Sequence, residues 1–469
     1  MASNPLAPKN LHLPKDVNAL NHKLWSRSVA RDHDQLSVGG VTVSELAERY
    51  GTPLYVLDEQ DVRDRATHIG TALRDAFAAI GTRATIYYAG KAFLSIEFAT
   101  WMVEAGLNID VCSGGELAVV LAAGVNPHRV GFHGNNKSLA EIDEAVGTGV
   151  GSIILDSFSE IERVAQAARR YGIRQRVRLR VNNGVHAHTH DFLATSHEDQ
   201  KFGFALDKAP EAVASIRAQP SLEFLGLHCH IGSQIFGADG FVESATRLLA
   251  LHRDLLVEGP VPELNLGGGF GIAYTSSDQP EPIEQIAAQI AAGVAQTCEN
   301  LAIPIPAVAF EPGRSIVGPA GMTLYTVGTI KDVDVSIPGG TGTAVRRYVS
   351  VDGGMSDNIR PALYGANYSA LVANRTSSAL PILSRVVGKH CESGDIVVDA
   401  EYLPEDILPD DLLAIPATGA YCWSLASRYN YIGRPAVVAV RDGRSRILVA
   451  GDTREDLLRH DAAYRGVRS

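Results

Sequence analysis

The sequence is poor in cysteine and lacks the cysteine spacing that builds metal sites. Five cysteines occur in 469 residues, and no Cys-x-x-Cys pair is among them. An odd number at wide spacing argues against a disulfide framework and against a zinc site. The segment Met1–Lys15 also lacks the apolar stretch of a secretory signal. We therefore expect a protein of the reducing cytoplasm that holds no metal.

Long apolar runs and an excess of basic charge are also missing. The longest apolar candidates, Leu117–Val125 and Ile286–Val294, are much shorter than the about 20 residues that cross a bilayer. Acidic residues outnumber basic ones by 53 to 42, which gives a net charge of −11. Nucleic acids and anionic membrane surfaces bind to basic faces. The composition therefore favours neither a nucleic-acid partner nor a membrane partner.

Short β-rich runs alternate with helical patterns from about Leu54 to Pro312. Segments with a 3.6-residue apolar period, such as Ser159–Tyr171 and Phe241–Val257, separate these runs. Such alternation predicts a parallel sheet, and eight strand–helix units predict closure into a (β/α)8 TIM barrel. The predicted strands are Ala84–Ala89, Leu107–Asp110, Val130–His133, Ser152–Asp156, Val177–Asn182, Phe224–His230, Glu263–Gly267 and Ala307–Glu311.

The pattern changes after Pro312, where helical periodicity fades and glycine-rich turns separate strand-like runs. This predicts a second, mainly β domain, which the short runs within Val38–Asp58 also join. We expect an N-terminal extension at residues 1–37, a barrel at 58–318, and a β domain at 38–57 plus 319–469 that completes the active site. The predicted β-domain strands are Met322–Lys331, Val345–Asp352, Ile382–Gly388, Asp395–Val398 and Val437–Arg441.

Polar residues and one glycine follow the predicted barrel strands. Enzymes with this fold carry their chemistry at the carboxyl ends of the strands. Solvation of ordinary loops is the alternative explanation, and it accounts for about half of the set. The strand-end residues are Lys91, Asp110, His133, Asp156, Asn182, His230, Gly267 and Glu311.

Lys91 lies between small residues after the aromatic run Tyr87–Tyr88. This position predicts partial burial, which lowers the pKa of a lysine and makes its amine a nucleophile. A surface lysine on a loop is the alternative.

Two turns resemble parts of an anion site. Gly267–Gly271 contains four glycines, whose backbone N–H groups can approach a phosphate closely. Glu311 and Arg314 flank a Pro-Gly turn and could face one ligand, the acid toward a ring nitrogen and the arginine toward a phosphate or carboxylate. A plain turn and a surface ion pair are the respective alternatives.

Two histidine groups could bind a metal, although packing or loop roles explain them better. His228 and His230 alternate in strand fashion and so predict side chains on one side of the strand. His186, His188 and His190 alternate in an irregular stretch. The pair His228 and His230 has no third ligand at a convincing spacing, and we predict no metal at either group.

In the second domain three segments combine residue types that suit a binding site. Arg360 and Tyr364 lie four residues apart, Cys391 precedes Glu392, and Tyr421 follows Gly419-Ala420. Taken alone, each segment is better explained by a structural role.

Together these motifs resemble the fold-type III, alanine racemase-like pyridoxal-phosphate decarboxylases, and within them the diaminopimelate decarboxylase family. The likeness covers about Val38 to Arg454. The motifs that carry it are, in order, YYAGKA, HCHIGSQ, the triple glycine, EPGR, RPALY, CESGD and GAY.

The resemblance implies a pyridoxal 5'-phosphate cofactor. It implies that Lys91 carries the cofactor as a Schiff base, that His230 stacks on the ring, and that Glu311 pairs with the ring nitrogen. Asp110 falls at a family position with a less direct role. The other residues implied to contact the cofactor are Ser233, Gly268, Gly269, Gly313, Arg314 and Tyr421.

The resemblance further implies conversion of meso-2,6-diaminopimelate to L-lysine and CO2, the last step of bacterial lysine synthesis. Cys391 then supplies a proton, the planar fork of Arg360 matches a distal carboxylate, and Glu392 pairs with a distal ammonium. The implied substrate-binding residues are Arg314, Arg360, Tyr364, Glu392 and Tyr421.

The same resemblance leaves two alternative functions open and implies a homodimer. An ornithine- or arginine-type decarboxylase acts on substrates without a distal carboxylate, which leaves an arginine there unpaired. A catalytically inactive regulatory relative is the second alternative, although Lys91, Glu311 and Cys391 are all present. The family forms homodimers in which the Cys391–Glu392 segment enters the partner's site.

Overall fold

The computed structural model describes residues 4–185 and 201–464. The chain divides into two compact units. One, the barrel unit, comprises Arg63–Gly271 and Pro280–Ile316. The other, the β-rich unit, combines the chain up to Val62, the segment Ile272–Gln279, and the chain from Val317 onward. Within the described ranges, no helix combines the length and the apolar character needed to span a membrane.

The elements before the barrel are numbered first in chain order. They are β1 (Ala30–Asp32), β2 (Gln35–Val38), β3 (Val41–Thr42), α1 (Val43–Tyr50), β4 (Leu54–Asp58) and α2 (Glu59–Ala78).

The barrel contains the eight strands that the alternating pattern predicts. All pair in parallel, in chain order around the ring, and the last pairs with the first. The two-residue strand β10 (Phe204–Ala205) extends the sheet beside β9. The barrel strands are β5 (Ala84–Ala89), β6 (Asn108–Val111), β7 (Val130–Phe132), β8 (Ser152–Leu155), β9 (Gln175–Asn182), β11 (Leu222–His228), β12 (Glu263–Asn265) and β13 (Ala307–Phe310).

Serine caps fix the starts of four barrel helices. Ser95, Ser113, Ser138 and Ser157 each accept a hydrogen bond from the backbone N–H three residues later. Such a cap satisfies an otherwise unpaired helix donor and so marks where each helix begins. The barrel-unit helices are α3 (Ile96–Glu104), α4 (Gly114–Ala122), α5 (Leu139–Thr148), α6 (Phe158–Tyr171), α7 (Ala209–Arg217), α8 (Asp239–Leu256), α9 (Ile283–Leu301) and α10 (Arg314–Val317).

A buried ion pair lies inside the barrel. Arg178 on β9 donates to Glu263 on β12 from Nε and Nη2, at 3.1 and 2.7 Å. It also donates to the hydroxyls of Ser152 and Tyr87. The guanidinium thus joins strands from several sides of the barrel, and its partners compensate its burial.

The β-rich unit contains the predicted β-domain strands and five strands that were not predicted, namely β1, β2, β16, β19 and β21. Its main sheet runs in the order β18-β17-β15-β14-β4-β20-β21, and β19 joins β14 to β16. The elements are β14 (Gly321–Ser336), β15 (Thr343–Val351), α11 (Arg360–Tyr364), β16 (Leu371–Val372), β17 (Pro381–Val387), β18 (Ile396–Pro404), β19 (Leu412–Pro416), β20 (Val437–Arg441), β21 (Arg444–Val449) and α12 (Arg454–Leu458).

The missed strands give weak sequence signals. All five residues of β19 are buried, so this strand shows no polar alternation. Strand β21 lies at a sheet edge, and its six residues are exposed or half-buried. Strand β16 has only two residues.

The N-terminal segment lies against the β-rich unit. Leu24, Trp25 and Val29 are buried in one apolar cluster with Leu36 of β2 and Val56 of β4. The residues expected to form an extension therefore supply part of the core of this unit.

Candidate active site

Lys91 lies in a single 3-10 turn, Gly90–Ala92, directly after β5. Gly90 and Ala92 are buried, but Lys91 itself is exposed. The prediction of partial burial is therefore wrong. The turn leaves the sheet at the carboxyl end of β5.

Glu311 directly follows β13 and is the centre of a buried polar cluster. We call this the Glu311 cluster, and its members are Glu311, Asp110, His133, His228 and Asn265. The Glu311 side chain is 10% exposed. Asn265 donates from Nδ2 to Oε1 of Glu311 at 2.8 Å. The Nε2 atoms of His228 and His133 lie 3.1 and 3.4 Å from the same oxygen.

The Glu311 cluster separates the protonation states of its two carboxyl groups. Burial raises the pKa of Glu311, but His228 and His133 outweigh that effect and hold the pKa well below its usual range. Burial, reinforced by the charge of Glu311, raises the pKa of Asp110 well above its usual range. His133 Nε2 lies 3.2 Å from Asp110 Oδ1. Glu311 is therefore ionised at neutral pH, whereas the raised pKa of Asp110 favours its protonated form.

Burial also decides the charge of the two imidazoles. It lowers the pKa of His133 and of His228 to about 4 in each case, although Glu311 opposes the shift. Both rings are neutral at pH 7 and can present an N–H to the carboxylate. His228 is the last residue of β11, so the predicted strand alternation does not continue to His230.

His230 contacts the glycine turn instead. Its Nδ1 accepts a hydrogen bond from the N–H of Gly268 at 3.3 Å. Burial lowers the pKa of His230 well below its usual range. The ring is therefore neutral, which suits a side chain that stacks on a ligand ring.

The glycine turn requires glycine at two consecutive positions. A Cβ at Gly268 would lie 2.0 Å from the carbonyl oxygen of Glu311. Gly269 has a φ of 116°, and a Cβ there would lie 2.5 Å from the carbonyl oxygen of Gly232. These close approaches exceed what a plain turn needs and leave the backbone open to an anion.

Arg314, the first residue of α10, donates from Nη2 to Oγ of Ser233 at 2.8 Å. In the same turn, a Cβ at Gly313 would lie 3.0 Å from that of Ala89. Glu311 and Arg314 thus have different partners, and the alternative of a local ion pair between them is not needed. The ionised acid, the glycine backbone and this cation fit the ring nitrogen and phosphate of pyridoxal phosphate.

Arg360, the first residue of α11, is a buried cation held by aromatic rings. It is 5% exposed, and Nη1 donates to the hydroxyl of Tyr368. Its guanidinium carbon lies 4.5 Å from the ring centroid of Tyr274 and 5.5 Å from that of Tyr368. No carboxylate oxygen in the described ranges lies within 4.0 Å of its nitrogen atoms. Tyr364, four residues on, is 57% exposed and does not join the rings.

Cys391 and Glu392 are exposed in the loop between β17 and β18. A buried pair fixes the loop, because His390 Nδ1 lies 2.9 Å from Asp395 Oδ2. Cys391 donates its backbone N–H to Asn430 Oδ1 at 3.1 Å. Glu392 lines a cavity in this unit, with Met355, Ile359, Ala362, Gly394, Ser427 and Tyr429.

Tyr421 has a left-handed backbone conformation, with a φ of 63°. Such a conformation is costly for an aromatic residue and concentrates at ligand sites. Gly419, two residues earlier, approaches the backbone so closely that a Cβ would lie 2.0 Å from the carbonyl oxygen of Val317.

The remaining strand-end and histidine predictions have separate outcomes. Asp156 accepts a backbone hydrogen bond from Gly203 at 2.9 Å. His186, His188 and His190 lie outside the described residues. Sequence reasoning missed the roles of Asn265 and of His228 beside Glu311, because their strands carry no local sign of which polar atoms converge.

Comparison with known proteins places the chain among decarboxylases. A family model described as the pyridoxal binding domain of pyridoxal-dependent decarboxylases matches residues 66–318. The diaminopimelate decarboxylase of Mycobacterium tuberculosis strain H37Rv is 50% identical, over 94% of this chain and 99% of the relative. That of Bacillus subtilis is 43% identical, over 94% and 98%.

Solved structures show the same architecture. The diaminopimelate decarboxylase of M. jannaschii, in complex with L-lysine, has a TM-score of 0.84 and 28% identity, covering 93% of this chain and 98% of its own. The lysine/ornithine decarboxylase of Vibrio vulnificus, with putrescine, has a TM-score of 0.67 and 21% identity, covering 86% and 99%. The second likeness concerns the fold alone.

Proposed function

The chain belongs to the diaminopimelate decarboxylase family of pyridoxal-dependent decarboxylases, and we propose that it converts meso-2,6-diaminopimelate to L-lysine and CO2. This reaction is the last step of bacterial lysine biosynthesis. The observation that carries the proposal is the ionised Glu311 beside the glycine turn and Arg314, in a chain half identical to a named diaminopimelate decarboxylase. The enzyme is proposed to act in the cytoplasm.

We propose that pyridoxal 5'-phosphate is held by residues at the carboxyl end of the barrel. Lys91 anchors it, the neutral ring of His230 stacks on it, and Glu311 faces the ring nitrogen with Asp110 in support. When bound, the cofactor accepts the electron pair that the departing carboxylate leaves behind. The proposed phosphate contacts come from Ser233, Gly268, Gly269, Gly313, Arg314 and Tyr421.

The protein residues then control protons and charge. An ionised Glu311 favours a protonated ring nitrogen, because an opposite charge nearby stabilises the charged form. Cys391 delivers a proton to the α-carbon after CO2 leaves. Cys391 is exposed in a loop whose backbone is held in place by a hydrogen bond to Asn430. This exposure would let its thiol reach a site on another protomer.

Arg360 is proposed to select the substrate. A buried guanidinium with no carboxylate beside it is stabilised when a ligand brings one. The distal end of diaminopimelate carries both a carboxylate and an ammonium, whereas ornithine and lysine carry only the ammonium. Arg360 therefore binds the distal carboxylate and Glu392 the ammonium, with Arg314, Tyr364 and Tyr421 as further substrate contacts.

We further propose a homodimer with shared sites. Cys391 and Glu392 of one protomer serve the cofactor site of its partner. Their exposure and the fixed loop that presents them support this arrangement.

Product analysis tests the proposed function. Purified protein with added pyridoxal phosphate is incubated separately with meso-diaminopimelate, ornithine, arginine and lysine, and products are measured by mass spectrometry. We expect L-lysine from meso-diaminopimelate and no amine product from the other three. Lys91→Ala is the matched control and should abolish turnover. Decarboxylation of ornithine or arginine in preference to diaminopimelate, or no cofactor binding at all, would contradict the proposal.

A further inference from the structure

The Glu311 cluster contains more polar groups than a carboxylate needs in order to remain ionised. Asn265 and both imidazoles approach Oε1, and none of these three contacts uses Oε2. The titratable and charged groups outside the cluster that act on its members are Lys91, Glu116, Lys137, Arg178, Arg180 and His230.

Two of the three polar contacts come from the adjacent strands β11 and β12, and the third comes from His133, which follows β7. Asn265 on β12 pairs directly with His228 on β11 and with Ala309 on β13. The oxygen of the Asn265 side chain accepts the N–H of Gly267 at 2.8 Å, so its amide nitrogen is directed toward Glu311. The same side chain thus links the glycine turn to the carboxylate.

We infer that His228 and Asn265 are positioning residues that hold Oε1 of Glu311, Asn265 by a hydrogen bond from Nδ2 and His228 by the close approach of Nε2, so that Oε2 is presented to the ring nitrogen of pyridoxal phosphate. The inference rests on the proposed function, because it needs that cofactor. The Nε2 atom of His133 also lies 3.2 Å from Oδ1 of Asp110 and so connects the second carboxyl group to the same cluster.

Two substitutions of similar size distinguish the effect of the N–H group of His228 from the effect of its packing. His228→Gln keeps a donor near the Nε2 position, whereas His228→Met has similar size and no donor. Loss of a hydrogen bond to a charged group weakens affinity by about tenfold or more, so the Met variant should bind pyridoxal phosphate at least that much more weakly than wild type. The Gln variant should stay close to wild type.

Asn265→Asp provides a second test. It keeps the oxygen that accepts the Gly267 N–H and replaces the donor with an anionic oxygen. The new charge raises the pKa of Glu311, and we expect a larger loss of affinity than for His228→Met.

The readout is cofactor binding to full-length apoprotein, measured by fluorescence titration from pH 6 to pH 9. Loss of a donor raises the pKa of Glu311, so the affinity ratio of wild type to His228→Met should be greatest at pH 6 and shrink as the pH rises. Apoprotein unfolding temperatures establish that the variants fold. His252→Met, which removes a buried histidine of α8 away from the cluster, is the control and should bind the cofactor like wild type.

Three outcomes would overturn the inference. Equal loss in His228→Met and His228→Gln would assign His228 to packing alone. Equal affinity in all variants would remove the cluster from cofactor binding. Stoichiometric zinc in wild-type protein that His228→Met lacks would make His133, His228 and Glu311 a metal site, since their ligand atoms lie within 4.8 Å of one another. Failure of the wild type itself to bind pyridoxal phosphate would contradict the proposed function and this inference together.

Discussion

At the scale of single residues, burial decides which charges this protein keeps. Glu311 and Asp110 both lie in the barrel interior and both lie near His133, yet only Glu311 also has the Asn265 amide at 2.8 Å and the His228 imidazole at 3.1 Å, and it is ionised. Arg360 shows the reverse arrangement, a buried cation that has aromatic and hydroxyl neighbours but no carboxylate in the described ranges. A buried charge is stable only with a partner of opposite charge or with hydrogen bonds. The ionised Glu311 therefore indicates a cationic group on the ligand, and Arg360 indicates an anionic one.

Arg360→Lys should raise the KM for meso-diaminopimelate by roughly ten- to a hundredfold and change the cofactor affinity little. An ammonium replaces the fork that makes two hydrogen bonds to a carboxylate, and it leaves the space between Tyr274 and Tyr368 incompletely filled. Steady-state kinetics with a parallel cofactor titration measures both effects.

Arg385→Lys is the matched control, because Arg385 pairs with the exposed Asp399 in the same unit. It should leave KM unchanged. An unaltered KM in Arg360→Lys would remove Arg360 from substrate recognition.

At the scale of elements, parallel strands collect groups that are distant in sequence. Strands β9 and β12 bring Arg178 to Glu263 across 85 residues, and β12 and β13 bring Asn265 to Glu311. The carboxyl ends of the strands carry the proposed chemistry, while this ion pair lies inside the barrel.

Arg178→Met should destabilise the barrel unit by roughly 3–5 kcal/mol, because it leaves the carboxylate of Glu263 buried without a charged partner. The double variant Arg178→Met/Glu263→Leu should recover much of that loss, since no charge then remains to be buried. Urea unfolding and hydrogen exchange of the barrel strands measure the difference. A double variant as unstable as the single one would mean that the pair acts through packing rather than charge.

At the scale of the whole molecule, the exposed loop with Cys391 and Glu392 is the reason why we expect a homodimer with shared sites. A mixture of Lys91→Ala and Cys391→Ala protein should recover up to about a quarter of wild-type activity, because one site of each hybrid dimer contains both intact residues. Each variant alone should be nearly inactive.

The measurement requires proof of subunit exchange, for example by tagging one variant and isolating the hybrid. Isolated hybrids without activity would place Lys91 and Cys391 of the same chain in one site. Protein that remains monomeric at assay concentration would contradict the homodimer directly.

The linear pattern was enough to predict the barrel. Strand Ala84–Ala89 was predicted at its observed bounds, and the other seven within a few residues, because a parallel barrel buries short apolar runs between periodic helices. Strand β19 was missed because a fully buried run has no polar alternation. The exposure of Lys91 was also missed, since burial depends on the elements that surround a turn.

The amino-acid sequence alone determined the order of strands and helices, the strand ends that carry polar groups, and the family resemblance. Only the tertiary structure decided that Asn265 and His228 meet one oxygen of Glu311, that burial raises the pKa of Asp110, and that Tyr274 and Tyr368 enclose Arg360. The reason is physical: local patterns follow from bonds between neighbours in the chain, whereas pKa values and buried contacts depend on atoms that only folding brings within a few ångströms.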